Sequence, residues 1–415
     1  MTVIETAALP RPDGTVVVRY SYVDERPDPV VRWTLAGFLL AVALWYLWLI
    51  ASSGEPDPAW AAVVEAGARD LRVWFFGSLP DGTALVQPAP AAIWLMSLSV
   101  RLFGLSRWSI LVPQALLGVA TAAVLYLSLH RVLTQWRGAG ATRPRSPRGA
   151  HWAALAGALA LAVTPASALV FSSDHPTALV VFTLVLGTHF TLRATESSGR
   201  GWLALAGLSL GLGVLAGSLA ALLVLPGLAL AYLVGASGTA AGKLLDLAVG
   251  AGALLGAVGS FLAAVWLTPA DQRPSLGGTP GSPLLQLLLP GAGSGGGAPG
   301  LGPSAWLLPA ALVLGSAALV RLLRRDPLPV EVAATGPRLL TAGLVAGLGW
   351  LVVAGTVAWV AGADESYALA ILAPASCGCA ALGATVLWDD RRRLAAPDRW
   401  SGSATGFAPP TSNRR

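Results

Sequence analysis

The chain has 415 residues, is 55% hydrophobic and only 12% charged, and has a mean hydropathy of +0.66. A soluble domain carries about 25% charged residues, so the composition excludes one and points to the bilayer. The net charge of +6 does not mark a nucleic-acid binder. The arginines gather at the ends of apolar runs, where the positive-inside rule puts them, without the aromatic interleaving and basic face of a nucleic-acid domain.

Residues 1–32 are polar and hold Arg11, Arg19, Arg26 and Arg32. The stretch is too long for the charged region of a signal peptide, and no good small-x-small cleavage site follows. It reads as a cytoplasmic N-terminal arm ahead of an uncleaved first span. Ten stretches then read as spanning helices: Trp33–Ala51, Ser109–His130, Trp152–Phe171, Ala178–Leu192, Gly201–Gly217, Ser218–Gly235, Leu247–Leu267, Ala305–Val320, Leu339–Ala361 and Tyr367–Trp388. None contains Asp, Glu, Lys or Arg, as expected when one charge at the bilayer centre costs about 2.5–3.5 kcal/mol or more. Residues 33–390 are therefore expected to form a polytopic domain. The fold class is an all-α integral membrane protein with about ten transmembrane helices, within a range of roughly 9–12 set by span length.

Ala91–Phe103 is also apolar, but it is short and broken by Arg101. If it crossed, every later loop would invert and the Arg131–Arg148 cluster would face outward. It reads as an interfacial helix within a first outer loop at 52–108. Gly201–Gly235 is the tightest stretch, because 35 residues must supply two short helices.

This threading puts 22 of the 27 Lys and Arg residues on the cytoplasmic side. Outside remain Arg69, Arg72, Arg101, Arg107 and Arg273, with nine of the 21 acidic residues, a balance of 5 − 9 = −4. The outer loop at 268–304 includes the Gly/Pro/Ser-rich run Gly291–Ser304 and reads as flexible, either a lid or a tether. Residues 391–415 read as a cytoplasmic tail, polar and disordered from Ala395. Cys377 and Cys379 lie inside an apolar run, too close for an ordinary disulfide and without a second pair for zinc. They read as small helix-packing residues.

The outer side gathers the candidate chemistry. The first loop opens Gly54-Glu55-Pro56-Asp57-Pro58-Ala59-Trp60. A carboxylate just past a span, at the interface, suits a general base, although an aspartate between prolines also serves as turn chemistry. Asp174-His175 follows the third span, and His175 is the outward-facing histidine. With Asp57 this pair makes a weak divalent-metal set (Asp57, Asp174, His175); a helix-capping role for Asp174 is the alternative. Asp271 lies two residues before Arg273 and is placed to orient it. Asp364 and Glu365 join the last two spans through a short turn. Trp60, Trp74 and Trp94 suit an interfacial aromatic belt.

Several stretches resemble the membrane-embedded type-C glycosyltransferases, the superfamily of protein O-mannosyltransferases and lipid A aminoarabinose transferases (glycosyltransferase family 39-like), with an actinobacterial branch nearest. They are Ala62–Gly67 with Trp74–Ser78, Ala92–Ser106, Leu111–Leu116, Leu267–Pro274 and Leu372–Ala375, in family order over most of the chain. The resemblance implies a type-C glycosyltransferase-like fold with outer-face helices in the first loop. It also implies transfer of a sugar, mannose or a related pentose or hexose, from a polyprenyl-phosphate carrier to a cell-envelope lipid, glycan or protein. Asp57 takes the place of the base. Arg273 is the expected phosphate contact, since a planar fork suits phosphate oxygens. Asp271, Asp174, His175, Gln87, Trp60, Glu365 and Tyr367 are the expected substrate neighbours. The implied partners are the lipid-linked donor, the envelope acceptor and the bilayer, with no nucleic acid. A divalent metal is the one candidate cofactor.

The chain also departs from its relatives. Gln87-Pro88-Ala89-Pro90 stands where they have Lys-Pro-Pro, and Asp174-His175-Pro176-Thr177-Ala178 where they commonly have Asn-Asn-Pro-Asp-Ala. A lysine is replaced around Ala216-Gly217-Ser218 and a histidine around Glu365-Ser366-Tyr367. These changes motivate a second reading, a catalytically inactive relative that scaffolds or regulates envelope assembly. A transporter fits poorly, because charge-free spans offer no ion path.

Overall fold

The computed structural model describes residues 2–10, 16–23, 28–77, 90–138, 147–197, 199–217, 220–269, 306–324, 335–361 and 365–394. Residues 1–41 and 42–415 are two compact units.

The first unit adds a β-hairpin to a chain that is otherwise all-α, as expected. Strand β1 (Thr2–Pro10) pairs antiparallel with β2 (Val16–Val23), from Thr2 opposite Val23 to Pro10 opposite Val16, with a register shift between Glu5 and Ala7. Both strands are rich in Val, Ile and Thr, whose branched side chains favour extended backbone.

The remainder of the described chain is helical: α1 (Pro29–Ser52), α2 (Pro58–Arg69), α3 (Leu71–Phe76), α4 (Pro90–Phe103), α5 (Arg107–Gly138), α6 (Pro147–Val163), α7 (Pro165–Phe171), α8 (Thr177–Glu196), α9 (Arg200–Leu215), α10 (Ala220–Leu223), α11 (Leu225–Gly235), α12 (Ala240–Leu267), α13 (Leu307–Leu323), α14 (Thr335–Ala361) and α15 (Glu365–Leu394). Among the described residues six helices are long and apolar enough to cross a membrane, and α6 with α7 makes a seventh, bent by 66°. The shorter apolar helices are Pro90–Phe103, Arg200–Leu215, Ala220–Gly235 and Leu307–Leu323. The protein is a multi-pass membrane protein.

Three expected spans differ in detail. Trp152–Phe171 is broken at Thr164-Pro165, because Pro165 has no N–H to continue the helical ladder and pushes the residue before it out of the helical region. Thr164 accordingly adopts φ −61°, ψ 128°. The stretch 218–235 resolves into α10 and α11, parted at Val224. The final helix runs on to Leu394, into the expected tail. Cys377 and Cys379 are free and buried.

Contacts at the helix ends fix which ends lie together. The Arg107 guanidinium at the start of α5 donates from Nη2 to Ser53 O, just past α1, at 2.6 Å. Ser53 and Arg107 therefore lie at one end of the bundle. At its far end α5 pairs Arg131 with Glu196 of α8 and Arg137 with Asp389 of α15, the latter at 3.1 Å. Arg200 of α9 meets Asp246 of α12 at 2.8 Å, and Arg321 of α13 meets Asp390 at 2.9 Å. One end of the bundle is thus rich in arginine ion pairs. Helix α5, with 32 residues, spans about 48 Å at 1.5 Å per residue and separates that end from the one bearing Asp57.

Close packing sets α1 in place. A Cβ on Gly118 of α5 would lie 2.6 Å from Tyr46 of α1 and 2.8 Å from Phe171 of α7. The Tyr46 and Phe171 rings meet edge-on at 5.5 Å, and the Tyr46 hydroxyl donates to Ala162 O at 3.3 Å. Small residues let membrane helices approach in this way, and here the approach carries the end of α1 toward the α7–α8 loop.

Candidate functional site

The chain leaves α1 at Ser52 and reaches α2 through residues 53–57. Helix α2 begins where it does because Asp57 caps it and Pro58 fills its first position, a pairing suited to a helix start. Asp57 Oδ1 accepts from Ala59 N–H at 2.8 Å. The Asp57 backbone N–H donates to Asp174 Oδ2 at 2.9 Å, across 117 residues of sequence. Asp57 is exposed, Asp174 and His175 are half-buried, and Trp60 is half-buried on the first turn of α2.

Asp174 sits in the 172–176 connection between α7 and α8. The Ser172 hydroxyl donates back to Ala168 O at 2.8 Å, ending α7 in a tightened turn. His175 Nδ1 lies 2.7 Å from the Thr177 hydroxyl and 3.3 Å from Thr177 N. The His175 ring stacks on Tyr367 of α15, with centroids 3.8 Å apart and planes 19° from parallel. Three distant segments therefore converge: the end of α1 with the start of α2, the α7–α8 loop, and the first turn of α15.

Four sequence-proposed residues, Asp57, Asp174, His175 and Tyr367, are linked by these contacts. Trp74 and Trp94 serve packing: Trp74 Nε1 donates to Trp94 O and Trp94 Nε1 to Phe75 O, each at 3.1 Å. Phe75 in turn packs on Phe261 of α12 at 5.4 Å. Gln87, Asp271, Arg273 and Asp364, along with the 270–304 segment, lie outside the described residues. Glu365 opens α15, and its side chain is not among those described. No group of three or more His, Cys, Asp or Glu arranged to hold a metal occurs among the described residues. Asp174 turns an oxygen to a backbone N–H, and His175 turns Nδ1 to a hydroxyl.

The sequence reading missed Arg107, whose guanidinium holds Ser53, and Thr177, which meets His175. The Arg107 helix start was legible in Ser106-x-x-Ser109: each serine's backbone N–H donates to the other's hydroxyl, at 3.0 and 3.1 Å, a reciprocal cap.

Residues 87–142 and 148–266 match the family described as dolichyl-phosphate-mannose-protein mannosyltransferase. The chain is 28% identical over 250 residues to the putative mannosyltransferase YycA of Bacillus subtilis (strain 168), covering 60% of this chain and 34% of that protein. It is 29% identical over 269 residues to the putative mannosyltransferase YkcB of the same organism, covering 62% and 35%. These matches support a likeness to this membrane glycosyltransferase superfamily. The chain spans about a third of the length of these curated relatives. ArnT from Cupriavidus metallidurans, solved bound to undecaprenyl phosphate, superposes with a TM-score of 0.50 at 14% identity, covering 85% of this chain and 60% of that one. That likeness is one of fold. The superfamily match contains Asp174 and His175 and runs from just before α4 to α12, whereas Asp57 and Tyr367 lie outside it.

Proposed function

We propose that this protein transfers a sugar, mannose or a related pentose or hexose, from a polyprenyl-phosphate carrier to a hydroxyl of an envelope lipid, glycan or protein. The observation that carries the reading is Asp57. In a chain matching mannosyltransferases, this exposed carboxylate is held by Ala59 N–H through one oxygen. Among the described residues its Oδ2 is engaged by no donor. In the proposed reaction the acceptor O–H gives its proton to Oδ2 while its oxygen attacks the anomeric carbon. The bond from that carbon to the phosphate oxygen breaks, and the polyprenyl phosphate leaves.

A departing phosphate needs positive charge or N–H donors, and Arg273 with Asp271 beside it is the proposed source. Gln87, Trp60, His175, Glu365 and Tyr367 are proposed to border the sugar and acceptor. The charge asymmetry supports a site on the outer face with both termini cytoplasmic. A long hydrocarbon carrier suits a site at the rim of a helical bundle, as does the undecaprenyl phosphate on the ArnT neighbour.

The test is sugar transfer by protein in nanodiscs, supplied with a polyprenyl-phosphate-mannose donor. Loss of a general base lowers turnover by about 10²–10⁴-fold, and Asp57→Asn should do so while leaving helix α2 capped, because asparagine caps as well as aspartate. Unchanged turnover in Asp57→Asn would remove the base from the scheme. The second reading, an inactive scaffold, is favoured by the altered polar positions at Gln87, Asp174-His175, Ala216–Ser218 and Glu365–Tyr367. A wild-type protein that binds the carrier and transfers nothing would establish it.

A further inference from the structure

We propose that Asp174 is a positioning residue, whose carboxylate holds the Asp57 turn so that Asp57 Oδ2 faces the acceptor. The proposal rests on the reading of Asp57 as the base. Its starting point is the backbone of Pro56-Asp57-Pro58. Proline has no N–H, so Asp57 supplies the only backbone donor of these three residues. That single donor goes to Asp174 Oδ2 at 2.9 Å.

The two aspartates thus divide their work. Asp57 spends Oδ1 on Ala59 N–H at 2.8 Å, which sets its side-chain rotamer. Asp174 fixes the backbone from which that side chain hangs. Its own loop is braced on two helices, through the His175–Tyr367 stack at 3.8 Å and the contact of His175 Nδ1 with the Thr177 hydroxyl at 2.7 Å. Arg107 secures the same turn four residues earlier, at Ser53 O. The base is therefore tethered at both ends of a five-residue segment that contains no regular structure of its own. An Asp174 oxygen directed at the Asp57 backbone N–H is the geometry of a clamp on that turn.

Displacement of a reacting group by about 1 Å can cost on the order of 10²-fold in rate. Asp174→Ala removes the acceptor, and kcat should fall by about 10–100-fold, with KM moving by less than about 3-fold, on that basis. Asp174→Asn keeps an oxygen acceptor in the same place and should restore most of the lost kcat. If Asp174→Asn is as damaging as Asp174→Ala, the negative charge itself is needed and the positioning role is overturned. Wild-type kcat in Asp174→Ala overturns it as well. Should Asp174→Ala not fold, Asp174→Ser, too short to reach the N–H, carries the same comparison.

Hydrogen exchange at the Asp57 amide separates this proposal from the reading beneath it. Faster exchange in Asp174→Ala, with turnover lost in Asp57→Asn, upholds both. Faster exchange with Asp57→Asn fully active overturns the base, and the positioning role with it. Unchanged exchange overturns the clamp whatever the activity.

Discussion

The two ends of the bundle use charge in opposite ways. At the arginine-rich end the acidic side chains meet guanidinium groups: Glu196 meets Arg131, Asp246 meets Arg200, Asp389 meets Arg137 and Asp390 meets Arg321. These pairs tie the ends of helices that are far apart in sequence. At the other end, Asp57 and Asp174 accept from backbone N–H groups, and Arg107 donates to a backbone carbonyl. Charge is consumed in assembly at the first end, whereas the second leaves a carboxylate oxygen exposed. The contrast predicts that substitutions at the first end act on stability and substitutions at the second on turnover.

The largest stability effect is expected at Arg137–Asp389. Both side chains are well shielded, at 14% and 9% exposure. Removing one partner of a buried pair strands the other charge and costs about 3–5 kcal/mol. Arg137→Ala should therefore lower the unfolding midpoint in detergent strongly, while turnover per folded molecule stays near wild type. Thermal unfolding alongside an activity titration checks both. Turnover lost in proportion to Asp57→Asn, with the midpoint unmoved, would erase the distinction between the ends.

A smaller and mixed effect is expected where packing aims the site. Gly118→Val places methyl groups against Tyr46 and Phe171, which a Cβ alone would approach to 2.6 and 2.8 Å. Overpacking of this kind costs about 1–3 kcal/mol. Because Tyr46 lies on the helix that leads into the Asp57 turn, kcat should fall along with stability. The unfolding midpoint and kcat, measured on one preparation, give the answer. A drop in midpoint with kcat untouched would show that the turn is aimed by its own tethers alone.

How much of this was legible beforehand follows the same divide. The arginine clustering at 131–148, 193–200 and 321–338 is a local signal, and it grouped helix ends that ion pairs bring together in the structure. Asp57-Pro58 was legible as a helix start for the same local reason. The Asp57–Asp174 hydrogen bond was not, because a contact across 117 residues leaves no periodicity or spacing in a single sequence. Two local signals were read through. Pro165 broke a run read as one straight span, apolar continuity having outweighed a residue that cannot donate. The Val/Ile/Thr content of residues 2–23, around Pro12-Asp13-Gly14, is strand and turn chemistry; the density of polar residues obscured it. Arg273 remains a matter of motif order, since it lies outside the described residues.

The smallest effect is expected at the one described ion pair of α2. Arg69 meets Glu65 one helical turn away, with side-chain exposures of 77% and 32%. Such an i,i+4 pair on an open helix face contributes at most a few tenths of a kcal/mol, because water and salt screen it. Arg69→Ala should leave the unfolding midpoint and kcat unchanged within error, at both low and high ionic strength. A salt-dependent loss of turnover would instead mean that Arg69 meets an anion in the working enzyme. The Asp57 end would then bind charge with a surface arginine, and the contrast between the two ends would have to be redrawn as one between buried and solvent-exposed ion pairing.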